Sequence, residues 1–176
     1  PHPAADSGRV SPVPGRLAAK LLGLLLAIAL ATGGSALAQT AVDLQLVLAV
    51  DVSGSVSDER FKLQKDGYAE AFRSWRVQEA IRSGPAQAIA VTMTQWTGPS
   101  QQSQVVPWIV ISDEASMLAF AEAVDRTTRQ LYGGGTSISG AIDHAMTLFP
   151  DSGSKGGRQV IDVSGDGEQN DGANTA

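Results

Sequence analysis

Cysteine is absent from the chain. No disulfide, thiolate metal site or cysteine nucleophile is therefore possible, and the core alone must hold the fold. Histidine is almost as scarce: His2 and His144 are too few and too scattered for a zinc cluster. Positive charge is in deficit, with a formal net charge of −5, which speaks against a basic nucleic-acid-binding surface. There is no run of like charge along the chain. One apolar run, Leu21 to Leu30, stands out, but it is short for a membrane span, which needs about 20 residues.

The chain does have the makings of one globular domain. It has 176 residues, 43% hydrophobic and 18% charged, enough for a real core and too apolar for a disordered chain. Residues 1–15 are rich in Pro, Ala, Ser and Gly, show no periodicity, and read as a disordered leader. Residues 16–38 follow the three-part plan of a secretory signal: Arg16 and Lys20, then LLGLLLAIAL, then Ser35-Ala36-Leu37-Ala38 with small residues at the cut. Cleavage after Ala38 would leave Gln39 first; a retained N-terminal anchor is the alternative, and the only membrane attachment expected. Loss of Arg9, Arg16, Lys20 and Asp6 would leave an acidic exported domain, periplasmic or secreted, of net charge −7. Residues 39–176 form the expected domain. The start at Pro1 and the polar end EQNDGANTA suggest a fragment.

Strands and helices alternate along that domain. Strands are expected near Asp43 to Val50, Ala86 to Thr97, Gln104 to Ile111 and Arg158 to Ser164. The first is nearly continuously apolar, as in a parallel strand covered on both faces. The third contains Pro107, which cannot donate to a ladder and so belongs at an edge; its short connection to the second suggests a hairpin. A helix should start at the N-cap Ser57, with Asp58 and Glu59 in its first turn. Phe61, Tyr68, Ala71, Phe72 and Trp75 recur there at helical spacing and read as core. A short helix runs from Val77 to Ser83, another follows a cap at Ser112, and a last one spans Ser137 to Phe149. The alternation implies an α/β protein, doubly wound and mostly parallel, with helices on both sheet faces and one antiparallel edge strand. Ligands in such sheets bind at the carboxyl ends of the strands.

The chain is organised around Leu44 to Ser57, an apolar strand running into Asp51-x-Ser53-x-Ser55 with Gly54 at the turn. Carboxylate and hydroxyl oxygens at alternate positions suit a hard divalent cation. Asp and Ser also cap helices and make ordinary turns. Two later stretches weigh against that reading: Gly134-Gly135-Thr136 before a helix, and a strand ending in Asp166-Gly167. Thr136 taken alone is an N-cap, and Asp166 alone a turn residue. With Asp51 they make a rim. Asp162, in a stretch that echoes the first motif, lies too far back along its strand to reach the rim and is expected to be buried and paired. His144 has no evident role.

These three parts are those of a metal-ion-dependent adhesion site. From about Asp43 to Asn170 the chain resembles the von Willebrand factor type A domain family, and more narrowly an exported bacterial family of that fold with no established role. The resemblance implies a Mg²⁺ site (or Mn²⁺ or Ca²⁺) formed by Asp51, Ser53, Ser55, Thr136 and Asp166. Ser53 and Ser55 would bind directly, Asp51 and Asp166 largely through water, and Thr136 either way. Gly133 to Gly135 would let the backbone approach the ion. An open position would take an Asp or Glu from a protein partner, which makes the chain a non-catalytic binding module. A full domain of this family has two further strands and helices after the fourth strand; they are absent here, so a partial domain is expected. Two enzymatic alternatives stand beside this reading. One is a Mg²⁺-dependent phosphotransferase or phosphatase with Asp51 as nucleophile, although Ser53 occupies the place where that chemistry wants a second carboxylate. The other is a phosphate loop at Gly133 to Ser137, although the lysine it needs is missing.

Overall fold

The computed structural model describes residues 39–173. The leader and signal-peptide readings fall on residues 1–38, outside them. The described chain is an α/β fold. Strands β1 (Thr40–Val42) and β2 (Leu44–Asp51) lead to helices α1 (Asp58–Arg73) and α2 (Trp75–Arg82). Strands β3 (Ile89–Trp96) and β4 (Gln102–Ile111) come next, then helices α3 (Glu114–Arg126) and α4 (Ile138–Leu148), then strands β5 (Ser154–Gly156) and β6 (Gln159–Ser164). The main sheet has the order β4-β3-β2-β6. Strand β2 is parallel to both its neighbours, and β4 is antiparallel to β3.

The continuous apolar run in β2 is used on both faces. Leu48 and Val50 pack with Phe61 and Phe72 of α1 and Phe120 of α3. Val47 and Ala49 face the other way, toward Ala145 and Ala141 of α4. A central strand needs apolar residues at every position only when helices cover both sides. β4 lies at the edge, as Pro107 requires; the pairing with β3 slips by one residue at the proline, between Val91↔Ile109 and Met93↔Val106. β6 forms the other edge among the described residues.

Helix α1 begins as expected, with the Ser57 hydroxyl accepting from the Arg60 amide at 3.3 Å. Its buried stripe is Phe61, Ala69 and Phe72, with Tyr68 half-buried. Ala71 lies off the stripe and Trp75 is 70% exposed, so neither belongs to the core. Trp75 would fall on the stripe if α1 continued. Ser74, extended at φ −77° and ψ 130°, ends α1 and N-caps α2, which turns the next residue outward. The cap of α3 is Asp113 rather than Ser112. Ser116, three residues on, completes a capping box with Asp113 that Ser112 has no partner to form. The two-stranded parallel pair β1 and β5 was not expected from the sequence. Among the described residues no helix is long and apolar enough to cross a membrane.

From β2 the sheet extends through α1 and α2 to β3 on one side, and to β6 on the other. The loops after β2 and β6 therefore leave from adjacent carboxyl ends, where α/β sheets place their ligands.

Candidate metal centre

Asp51 is the last residue of β2 and is fully buried. Its Oδ1 accepts from the Ser53 amide at 2.8 Å, which folds the following turn back onto the strand end. Its Oδ2 is buried with no hydrogen-bond partner. Ser53, also buried, has its hydroxyl 3.3 Å from that of Ser55. The Thr136 hydroxyl donates to Ser53 Oγ at 3.2 Å, and the Ser55 hydroxyl donates to Asp166 Oδ1 at 3.1 Å. One run of oxygens, Thr136, Ser53, Ser55 and Asp166, thus joins loops 83 and 111 residues apart in sequence. All five predicted residues are brought together. Thr136 sits just before the N-cap Ser137 rather than in the helix itself.

Glycine is required at two places around this cluster. Gly134 has φ +83°, and its carbonyl accepts from the Gly54 amide at 3.3 Å, which closes the second loop onto the first. A Cβ on Gly165 would lie 2.9 Å from Asp51 Oδ2, so only a bare backbone leaves that carboxylate its space.

The donor set fits a hard divalent cation. Every donor is a hydroxyl or carboxylate oxygen, no thiolate or imidazole is present, and an unsatisfied carboxylate oxygen is held in the interior. Among the described residues no group of three or more His, Cys, Asp or Glu is arranged to hold a metal. The cluster is instead made mainly of hydroxyls, with two acids, Asp51 and Asp166.

Several supporting residues carry no sequence motif. Arg60 pairs with Asp166 Oδ2 at the rim. The Gln64 side chain donates to the Asp51 carbonyl at 3.2 Å and accepts from the Ser164 hydroxyl at 2.8 Å, tying together the two strand ends that carry the acids. Asn170 Oδ1 accepts from the Thr136 amide at 2.8 Å, so the polar tail after Asp166 folds over the threonine loop. Arg129 reaches under the first loop and hydrogen-bonds its carbonyls. Only Asn170, within the polar run after Asp166, lay near a sequence signal.

Two other residues singled out in the sequence stand apart. Asp162 pairs with Leu48, three residues before Asp51 and about 10 Å back along the strand. It is exposed rather than buried, because β6 is an edge strand among the described residues, and its partner is the Tyr68 hydroxyl at 2.8 Å. Burial pushes the Tyr68 pKa up to about 12; a hydrogen bond with Ser164 works against this and Asp162 adds to it. His144, half-buried on α4, takes no part in the oxygen cluster, and burial lowers its pKa. An apolar cavity of about 600 Å³ lies elsewhere, lined by Leu46, Leu48, Tyr68, Phe72, Val77 and Ile81. None of the five oxygen donors lines it.

No curated protein matches the chain. Among solved structures it is similar to an uncharacterised membrane-spanning protein from Vibrio fischeri, with 18% identity and a TM-score of 0.38. That match covers 64% of this chain and 52% of the other, so the chain spans about half the length of that relative. A family profile matches residues 41–176, and the chain belongs to that family, described as protein of unknown function (DUF1194).

Proposed function

We propose that the chain is an exported, metal-dependent protein-binding module of the von Willebrand factor A type, non-catalytic, with a metal-ion-dependent adhesion site at the carboxyl end of its sheet. Asp51, Ser53, Ser55, Thr136 and Asp166 would hold Mg²⁺, or Mn²⁺ or Ca²⁺ in its place. The observation that carries the reading is the run of oxygens across three loops, beside a buried carboxylate oxygen with no partner. A bound cation would supply an electrophilic point for one oxygen of a partner's Asp or Glu. The charge balance supports this: the site has only two carboxylates, and one of them is already paired with Arg60. A divalent ion held by so few protein charges stays hungry for a further anionic oxygen. Export to the periplasm or beyond rests on the signal-like plan of residues 16–38.

Isothermal calorimetry with Mg²⁺ and Mn²⁺ on the full chain, on Asp51→Ala and on Ser53→Ala tests the reading. Binding should be present in the parent and lost, or weakened at least about tenfold, in both variants. Equal binding in all three proteins removes the proposal. Hydrolysis of a generic phosphate ester, abolished in Asp51→Asn, would replace it with the phosphotransferase reading.

A further inference from the structure

The carbonyls of the first loop converge on one side chain. Arg129 Nη2 donates to the Val52 and Ser53 carbonyls at 2.8 and 3.0 Å, and Nη1 to the Val56 carbonyl at 2.8 Å. Nη1 also lies 3.2 Å from Asp58 Oδ1. The Arg129 side chain is only 9% exposed, and its guanidinium stacks 5.1 Å from the Tyr132 ring centre. The backbone on either side of Arg129 is itself clamped. Gln95, buried in β3, donates from its amide nitrogen to the Thr128 carbonyl and accepts at its amide oxygen from the Gln130 amide, both at 2.8 Å. A rigid strand thus presents the arginine, and the arginine fixes the carbonyl side of the Asp51–Val56 turn.

We propose that Arg129 is a positioning residue for the metal, an inference that rests on reading Asp51, Ser53 and Ser55 as metal-holding. Its planar fork binds three carbonyls at once, a task one ammonium cannot copy. With those carbonyls held, the Ser53 and Ser55 hydroxyls stay turned toward Thr136 and Asp166. A cation placed nearby is repelled by the arginine's own charge, so the charge and the geometry act in opposite directions. Geometry dominates here, because the guanidinium is spent on carbonyl oxygens and on Asp58. The result is a preorganised loop suited to Mg²⁺, which demands near-octahedral order, more than to Ca²⁺, which tolerates irregular sites.

The test uses Arg129→Lys and Arg129→Gln in the full chain, with circular dichroism confirming folding in chelator and calorimetry with Mg²⁺ and then Ca²⁺. Both variants should lose Mg²⁺ affinity by about tenfold or more, the usual effect of removing an outer partner, and lose less Ca²⁺ affinity. Tighter Mg²⁺ binding in Arg129→Gln would mean that the charge dominates and would overturn the proposal. Unchanged affinity in both, or an equal loss for the two ions, would overturn it as well. If Arg129→Gln fails to fold, Arg129→Lys decides alone by its Mg²⁺ to Ca²⁺ ratio. A parent protein that binds neither ion removes the metal reading itself, an outcome distinct from all of these.

Discussion

A residue's chemistry is set by what lies within a few ångströms of it, and Tyr68 shows this outside the site. The unfolded chain would ionise this phenol near 10, whereas in the fold it holds its proton up to about 12. Its contribution to stability is therefore whole below pH 10 and is lost as pH rises from there to about 12. In a Tyr132→Phe background, which leaves Tyr68 as the sole tyrosine, the phenolate absorbance should rise with a midpoint near 12. Tyr68→Phe should flatten the fall in stability over that window. A midpoint near 10 would show that the ring is not enclosed as described. The pattern of Asp51, Ser53, Ser55, Thr136 and Asp166 was legible in the sequence because each follows a strand or precedes a helix at a recognisable spacing. Arg129 was not legible. It sits in an unremarkable Thr-Thr-Arg-Gln stretch, and its place beneath the first loop depends on Gln95 of β3, which holds the backbone of Thr128 and Gln130 on either side of it.

At the scale of the element, the helices that cover β2 fix where its loop emerges. Helices α1 and α3 meet through Phe72 and Phe120, whose rings lie 4.6 Å apart. Phe120 is fully buried. Phe120→Ala should destabilise the fold by about 3–5 kcal/mol, the range for truncating a core aromatic. Urea unfolding measures this directly, and a loss below about 1 kcal/mol would mean that the two helices do not depend on that contact. The sequence foresaw most elements, because alternation, helical spacing and Pro107 act over short stretches of chain. It misplaced Trp75, because the pattern continues in register through Ser74 while the backbone does not. It missed β1 and β5, because three-residue strands carry too little periodicity to announce themselves.

At the scale of the whole molecule, the candidate centre draws together three loops through hydrogen bonds, Thr136 to Ser53 and Ser55 to Asp166. An ion bound there would bind the folded chain and not the unfolded one. At a free concentration one hundred times its Kd it adds about 2.7 kcal/mol. For a chain of this size that corresponds to a Tm rise on the order of 5–10 °C. Scanning calorimetry in chelator and then in saturating Mg²⁺ should show that rise in the parent and none in Asp51→Ala. An equal Tm in both conditions would mean that no ion ties the loops together.

Composition and short-range pattern were enough to determine an α/β sheet, a central strand covered on both faces, a proline-marked edge and five oxygen-bearing side chains at element ends. They could do so because each property is set by residues close together in the chain. Only the tertiary structure decided that the five side chains share one cluster, that Asp51 keeps a carboxylate oxygen without a partner, and that Arg129 braces the loop from beneath. The cluster and the brace depend on contacts between residues 73 to 111 positions apart. Such contacts form when α1, α3 and α4 pack on the sheet, and no local preference of the chain encodes them.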